Sequence, residues 1–275
     1  LTITQGKTVS RLACQNSEEF PSFPTVEGDS FVLNINDLEK IQSLVTFCAS
    51  VDQSRPVLTA LLLKFSNKGL EVIATDGFRL SSLFLKTINS KQEKTILIPA
   101  KALIELYRIA KQIEINEIQI LVSEELKQLL FKINSVEMYV RLIEGEYPPY
   151  EKIIPPSFNL TVEFDGEEFL TQLKRAAIFS RDVSNIVKLA VEKERMIISS
   201  QSPSLGEYIG EIIINNSSSE TGEIAFNVNY LIDFINAVKP NFLVFGMNEC
   251  LKPAIFKDKK IEDYFYIAMP FRVNS

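Results

Sequence analysis

The sequence predicts an α+β fold built from repeated units, and two observations support this prediction. Short matching segments recur along the chain about 130 residues apart, which is the size of an ordinary domain. Each unit also contains the same succession of apolar runs and amphipathic helical segments, with turn signals that indicate antiparallel strands. Each unit is therefore expected to pack two helices on antiparallel sheets.

Three markers define the repeat. They are LIEL at 103–106 with LIDF at 231–234, Phe20-Pro21 with Tyr147-Pro148, and Arg11 with Arg141 and Arg272. Each of these arginines is expected to close one unit, but the three of them enclose only two full intervals. Residues 1–27 are therefore predicted to be the closing strand and exit linker of an earlier unit, whose body is absent. Residues 28–150 and 151–275 are then expected to be complete units.

In the first complete unit, the pattern predicts two helices among eight strand-like runs. The order is a strand at 31–35, a helix from Asn36, strands at 59–65, 70–75 and 78–85, a run at 95–99, a helix opened by Pro99, and three strands through Ile143. Asp76-Gly77 predicts a tight hairpin between the strands at 70–75 and 78–85.

The second complete unit repeats this order. We expect a strand at 158–164, a helix at 165–181, strands at 186–191, 195–200 and 207–214, a helix at 227–239, and strands at 241–246, 254–258 and 264–269. The segment EGEYPPYEKIIPPS joins the units. Its four prolines cannot join a sheet ladder, so it is expected to run as an extended connector.

The composition excludes several kinds of chemistry. The chain has no histidine, which removes catalytic triads and the common zinc sites. Its ten glycines are scattered, so no phosphate-binding glycine loop is present. Asp165, Glu167 and Glu168 stand at a helix start, where carboxylates complement the macrodipole. We therefore expect no catalytic site, no cofactor and no metal.

Cysteine usage and apolar runs indicate the compartment. Cys14, Cys48 and Cys250 are odd in number and far apart, so the sequence predicts no disulfide framework. No apolar run approaches the roughly 18 residues of a membrane span, and no signal peptide is recognisable. We expect a soluble, cytoplasmic protein in a reducing compartment, without a membrane partner. A net charge of -6 argues, by itself, against a nucleic-acid partner.

Four segments carry a family likeness. They are RPVLTALLLKFSNKGLEVIATDGFRLS at 55–81, EGEYPPYEKIIP at 144–155, FNVNYLIDFINAV at 226–238 and YIAMPFR at 266–272. In this order, along the whole chain, they resemble the bacterial DNA polymerase III beta subunit, the sliding clamp. The most specific parts are ATDG-x-RL and MP-x-R.

The resemblance implies a DNA-clamp fold in which similar domains lie head to tail. Two full-length subunits would close a ring around duplex DNA as a homodimer, without reading its sequence. The chain would then be a non-catalytic processivity factor for DNA replication. Its implied protein partners are the polymerase III alpha subunit, the clamp loader and other proteins that carry a clamp-binding peptide.

The resemblance also implies a peptide-binding groove between the two complete units. The implied residues are Leu58, Thr75, Gly77, Phe78, Arg79, Leu80, Pro148, Lys152, Ile153, Asn227, Tyr230, Ile267, Met269, Pro270, Phe271 and Arg272. Leucine, isoleucine, methionine and phenylalanine would supply apolar walls, and a few polar groups would fix orientation. For Leu80 and Ile267, a place in the core is a strong alternative.

The groove also departs from the family pattern. Phe78, Lys152 and Phe271 stand where the family commonly has His, Arg and Met, and exchanging a guanidinium for an ammonium weakens bidentate contacts. The tail extends to Asn274 and Ser275, which could partly cover the groove.

Two further surfaces follow from the resemblance. The residues expected to face DNA are the helix cations Lys101, Arg108, Lys111, Lys174, Arg175, Arg181 and Lys239. Ordinary solvated helix surfaces explain any one of these cations equally well. Ile178 and Phe179 match positions at the family's dimer interface, although the core of a helix end is an equal alternative.

Two other functions stay open on the sequence alone. One is an interaction scaffold with the clamp fold that tethers proteins away from DNA. The other is an α+β enzyme using Ser, Asp or Lys, for which the sequence nominates no converging set of residues.

Overall fold

The computed structural model describes residues 1–16, 18, 25–88, 90, 93–123, 125–182, 184–216, 218 and 220–272. Phe20-Pro21, one of the repeat markers, and the tail residues Asn274 and Ser275 lie outside the described residues. Among the described residues, no helix has the length and apolar character needed to cross a membrane.

The chain begins with an exposed two-stranded hairpin, β1 (Thr2–Gln5) and β2 (Thr8–Arg11). Gly6 has a φ of +60°, which permits the tight turn between the strands. A single closing strand was predicted here, and the hairpin corrects that prediction because the turn residues Gly6 and Lys7 interrupt the run. Arg11 ends β2, as Arg141 ends the corresponding hairpin of the next repeat.

The first complete unit, named the middle repeat because of its predicted place, contains eight strands and two α-helices among its described residues. In chain order they are β3 (Asp29–Asn34), α1 (Ile35–Leu44), β4 (Ala60–Ser66), β5 (Gly69–Thr75), β6 (Arg79–Leu85), β7 (Lys94–Pro99), α2 (Ala100–Ile113), β8 (Glu117–Ser123), β9 (Gln128–Ile133) and β10 (Val136–Arg141).

The second complete unit, named the third repeat, has the same order of strands and helices with one short extra strand. Its elements are β11 (Leu160–Asp165), α3 (Gly166–Ser180), β12 (Ile186–Val191), β13 (Arg195–Ser202), β14 (Gly206–Ile213), β15 (Asn215–Asn216), β16 (Gly222–Asn227), α4 (Val228–Val238), β17 (Phe242–Met247), β18 (Ala254–Asp258) and β19 (Tyr264–Ala268). The sequence analysis missed β15 and β16.

Side-chain caps fix three helix starts. Asn34, Asp165 and Asn227 each stand in extended backbone before a helix, and each side-chain oxygen accepts a hydrogen bond from a backbone N–H of the first turn. The Asn34 cap explains why α1 begins at Ile35, one residue before the predicted start. All three capped helices follow directly on a strand, so the caps also fix the strand-to-helix corners.

The two repeats share one sheet. Each repeat forms two four-strand ladders, β10-β9-β8-β3 with β6-β5-β4-β7 in the middle repeat and β19-β18-β17-β11 with β14-β13-β12-β16 in the third. Antiparallel pairing of β6 with β19, with Leu80 opposite Ile267, merges two of these ladders, and the short strand β15, paired with β11, completes a nine-stranded sheet. The pairing of β6 with β19 therefore joins the repeats through backbone hydrogen bonds.

The two faces of the shared sheet have different covers. One face packs on the helices, which form a layer through contacts of α1 with α2, α3 with α4, and α1 with α4. The other face carries a smaller apolar cluster that includes Leu62, Ile73, Leu80 and Ile267, and linker side chains cover it.

Two local predictions need correction. The linker is not extended throughout, because Tyr150–Ile153 forms a 3-10 turn whose Tyr150 is only 4% exposed and packs into the sheet cluster. The connection at Asp76-Gly77 is not a two-residue turn, because Thr75 pairs with Leu80 and four residues form the loop. Hydrogen bonds from the backbone N–H groups of Phe78 and Arg79 to the Asp76 carboxylate stabilise this longer loop.

Candidate functional site

The site lies where the loop after β5 meets the segment after β19. The Met269 N–H donates to the carbonyl oxygen of Phe78 at 2.8 Å, and the Phe271 N–H donates to the carbonyl oxygen of Ala225 at 2.7 Å. Because β16 is the edge of its sheet, the second bond attaches the C-terminal segment to that edge. Elements from both repeats thus converge on one surface.

Aromatic side chains form one wall of this surface. Phe78 is 59% exposed at the tip of its loop and stacks on Tyr230 of α4, with ring centroids 6.3 Å apart. The carbonyl of Tyr230 accepts a hydrogen bond from the buried hydroxyl of Tyr266 at 3.0 Å. Burial raises the pKa of Tyr230, with Asp76 adding to the rise, Arg79 opposing it and Asp233 adding to it. The Phe78–Tyr230 pair therefore forms an apolar surface that Tyr266 holds from below, and the Tyr230 phenol is uncharged at neutral pH.

Two clefts flank the C-terminal segment. The larger, of about 670 Å³, is lined by residues 152–157 and 159, by residues 248–249 and 251–253 of the loop after β17, and by Met269. The smaller, of about 270 Å³, is lined mainly by Ile224, Ala225, Leu251 and Phe271, with the Lys188–Glu223 ion pair at its rim. Leu251 lines both clefts, so it forms the ridge between them.

The structure places six of the sixteen predicted groove residues on the clefts or the aromatic wall. Lys152, Ile153 and Met269 line the larger cleft, and Phe271 lines the smaller one. Phe78 and Tyr230 form the aromatic wall. The remaining predicted residues serve other parts of the seam and are Leu58, Thr75, Gly77, Arg79, Leu80, Pro148, Asn227, Ile267, Pro270 and Arg272.

Several of these residues support the surface from beneath. Leu80 and Ile267 are 0% exposed and pair across the seam in the sheet, so they are floor residues without accessible atoms. Leu58 and Thr75 are also buried, and the Thr75 hydroxyl donates to the carbonyl of Arg79 at 2.6 Å. Gly77 has a φ of +95°, which a residue with a side chain rarely adopts.

The others lie at the margins. Asn227 caps α4, Pro148 and Pro270 are half-buried, and Arg272 is exposed at the end of the described chain.

The sequence analysis missed part of the groove. Leu251 and Pro253 lie in an irregular loop between β17 and β18, where no periodic pattern marks a residue. Leu251 is 52% exposed, and an isolated exposed leucine in a loop was the available signal.

The helix layer carries the predicted cations. Lys101, Arg108, Lys111, Lys174, Arg175, Arg181 and Lys239 are all exposed. Arg108 pairs with Glu105 on its own helix at 2.5 Å, and the Lys111 ammonium lies 3.3 Å from the Tyr107 hydroxyl. Lys239 occupies the left-handed cap position that ends α4.

The predicted interface residues lie beside a free sheet edge. Ile178 is 50% exposed near the end of α3, and Phe179 stacks on Tyr208 of β14, with ring centroids 6.0 Å apart. Strand β14 is the edge of its sheet and exposes Ile209 at 65% and Ile213 at 80%. Exposed apolar side chains on an unpaired edge strand are typical of a surface that is covered in an assembly.

These features define a class of protein: a repeat-built binding protein with a groove at the joint of its repeats and a layer of cation-bearing helices. Two family models match the chain, the DNA polymerase III beta subunit central domain at residues 32–149 and the C-terminal domain of the same subunit at residues 151–272. The chain belongs to the DNA polymerase III beta subunit family, as the resemblance predicted.

Individual relatives agree. A beta sliding clamp from Staphylococcus aureus is 28% identical over 272 residues, which are 98% of this chain and 71% of the relative. The solved beta subunit of DNA polymerase III from Thermotoga maritima has 26% identity and a TM-score of 0.89, covering 99% of this chain and 74% of that one. The sliding clamp from Bacillus subtilis has 26% identity and a TM-score of 0.89, covering 99% and 72%. The predicted α+β clamp fold is confirmed.

Proposed function

We propose that this chain acts as a sliding-clamp processivity factor: it holds partner proteins beside duplex DNA and carries out no catalysis itself. The observation that carries the proposal is the groove at the seam of the two repeats, formed where the chain's last described segment crosses the loop after β5. We assign residues 28–150 and 151–275 to two successive clamp domains, and residues 1–27 to the end of a preceding one.

The groove suits a short peptide with apolar side chains. The two clefts on either side of Leu251 are each large enough for a leucine or phenylalanine side chain, and Met269 can repack around related ligands. Phe78 and Tyr230 offer a flat aromatic wall beside them. The family resemblance implies that the partners carry an exposed Gln-Leu-x-Leu-Phe-like peptide, whose apolar side chains suit these clefts, and that they include the polymerase III alpha subunit and the clamp loader.

The helix layer suits sequence-independent contact with DNA. The exposed helix cations attract phosphates without reading bases, so a protein held by them can slide. The acidic balance of the whole chain is compatible with this, because only the surface that faces DNA needs cations.

The internal repeat supports a ring. Strand β6 of the middle repeat pairs with β19 of the third, and the strands at corresponding positions, β14 and β10, are edges of their sheets with no partner strand in the described part of the chain. Joining β14 to a further domain would repeat the contact already present at β6–β19. Ile178 and Phe179 would lie beside that contact, in a homodimer of full-length subunits.

A peptide titration tests the groove. We expect a fluorescent Gln-Leu-x-Leu-Phe-like peptide to bind the chain, and Met269→Ala or Phe271→Ala to weaken binding by about 1 kcal/mol or more, as for a buried anchor. Leu126→Ala is the matched control, since Leu126 is an exposed leucine that lines neither cleft. Unchanged affinity in both groove variants would exclude the groove.

A second measurement separates the clamp from a scaffold that does not act on DNA. The full-length ring should remain on covalently closed circular DNA and be released when that circle is linearised. Peptide binding without such retention would favour the scaffold.

A further inference from the structure

Arg79 joins the two repeats beneath the aromatic wall of the groove. Its side chain is only 11% exposed, although the loop that carries it is at the surface. Nε donates to the Asp76 carboxylate at 2.9 Å, and Nη1 donates to the Asp233 carboxylate at 2.7 Å. Asp76 belongs to the middle repeat and Asp233 to α4 of the third, so one guanidinium connects both.

The same guanidinium lies over Tyr230, one ring of the wall, and over Phe47, a ring outside it. Its central carbon lies 4.7 Å from the centroid of Tyr230 and 5.7 Å from the centroid of Phe47. A guanidinium at this distance attracts the face of an aromatic ring. Tyr230 is in turn the ring on which Phe78 stacks. Arg79 therefore contacts the ring that supports Phe78 in the wall.

We propose that Arg79 is a positioning residue of the peptide groove, which holds Tyr230 against Phe78 through its ion pair with Asp233 and does not itself contact the peptide. This inference rests on the proposed function, because it assigns a role within the same groove. Direct pairing with a peptide carboxylate would require the guanidinium, which is 11% exposed, to give up charge-assisted hydrogen bonds to Asp76 and Asp233.

The seam offers a matched control. Lys86 and Asp263 form another ion pair between the repeats at 2.5 Å, and their side chains are 65% and 39% exposed. This pair connects β6 to the turn before β19, away from the aromatic wall. It resembles the Arg79–Asp233 pair in joining the repeats and differs in lying at the opposite end of β6 from Arg79.

The test compares Asp233→Asn with Lys86→Gln in the full chain. Asp233→Asn removes the charge and keeps the shape of a half-exposed side chain, so the variant is expected to fold. The first readout is the ring NMR signals of Tyr230, identified by their loss in Tyr230→Phe. The second is the affinity for a Gln-Leu-x-Leu-Phe peptide that has no acidic side chain and an amidated C-terminus.

We expect Asp233→Asn to shift the Tyr230 signals and to weaken peptide binding about fivefold or more, a coupling typical of contacting residues. Lys86→Gln should change neither readout. A double-mutant cycle with Arg79→Gln should show that the two losses are not additive, because both break the same pair.

Unshifted Tyr230 signals in Asp233→Asn would overturn the proposal whether or not the peptide binds. Full affinity in Asp233→Asn together with lost affinity in Arg79→Gln would also overturn it, because this pattern indicates direct contact. A wild-type chain that fails to bind any such peptide would refute the proposed function, and the Tyr230 signals would still decide whether Arg79 orders the wall.

Discussion

The backbone N–H of Met269 donates to the carbonyl oxygen of Phe78, and this bond ties the chain segment after the last strand to a loop of the other repeat. Two residues later, the backbone N–H of Phe271 donates to the carbonyl oxygen of Ala225, on β16 of the same repeat. Both bonds use backbone atoms only. Side-chain substitutions at Met269 and Phe271 therefore change the lining of the groove while the segment itself stays attached.

Leu251 is expected to be a peptide anchor that the sequence pattern does not reveal. Because it forms the ridge between both clefts, Leu251→Ala should weaken the binding of the Gln-Leu-x-Leu-Phe-like peptide by about 1 kcal/mol or more. Its half-exposed position predicts almost no change in the free energy of unfolding. Calorimetric titration and urea unfolding measure the two quantities. Leu205→Ala, a similarly exposed leucine on another surface, should alter neither, and equal peptide affinities for the two variants would contradict the anchor.

Buried tyrosines should make the fold sensitive to alkali. Burial raises the pKa of Tyr266 well above its usual value of 10.0, so the folded state holds the phenolic proton more tightly than the unfolded chain does. This contribution is complete below about pH 10 and is lost as the pH rises further, by up to about 1.4 kcal/mol per pH unit for each such group.

Tyr266→Phe tests this dependence. The variant loses the hydrogen bond to the Tyr230 carbonyl, which should cost about 1 kcal/mol of the unfolding free energy near neutral pH. The difference from wild type should shrink as the pH rises above 10, and urea unfolding at several pH values measures it. Parallel stability curves for the two proteins would contradict the expectation.

The sequence predicts the local elements well because each depends on neighbouring residues. Alternating apolar runs and capping side chains such as Asn34 and Asp165 mark strands and helix starts within a few positions. The GEIAFN segment, which forms β16, was missed because it begins with Gly and Glu and offers only a short apolar run. The pairing of Leu80 with Ile267 could not be predicted from pattern at all, since register between distant strands is set by tertiary packing.

The helix cations can be tested through salt dependence. If Lys174 and Arg175 contact phosphates, replacing both with Ala should reduce the slope of log affinity against log salt by about 0.9 for each lost contact. Binding of the chain to duplex DNA at several salt concentrations gives the slope. Lys257→Ala is the control, because Lys257 lies on β18 with the side-chain parity of Ile255, on the sheet face away from the helices. A slope that changes equally in both proteins would exclude a specific role for α3.

Tyr150 is expected to anchor the linker. Its hydroxyl accepts a hydrogen bond from Lys64 at 2.8 Å and donates one to Glu71 at 3.1 Å. A hydrogen bond to a charged group contributes about 1.5–3 kcal/mol. Tyr150→Phe should therefore lower the unfolding free energy by a few kcal/mol and speed cleavage of the linker by proteases. Tyr139→Phe is the control: it removes a solvent-exposed hydrogen bond to Glu137 on the same strand, β10, so it should change the unfolding free energy little and leave the cleavage rate of the linker unaltered. An unaltered cleavage rate in Tyr150→Phe would show that the turn is held by apolar packing alone.

The β6–β19 ladder is expected to make the joint between the repeats rigid, so that the joint does not act as a hinge. Bending the two halves apart would break a row of backbone hydrogen bonds and open the apolar floor under the linker, so the halves must tilt together under load. A single cut in the peptide chain near residue 146 would leave the two pieces assembled. The peptide linker is therefore not needed to hold the repeats together, because the paired strands of the shared sheet do so.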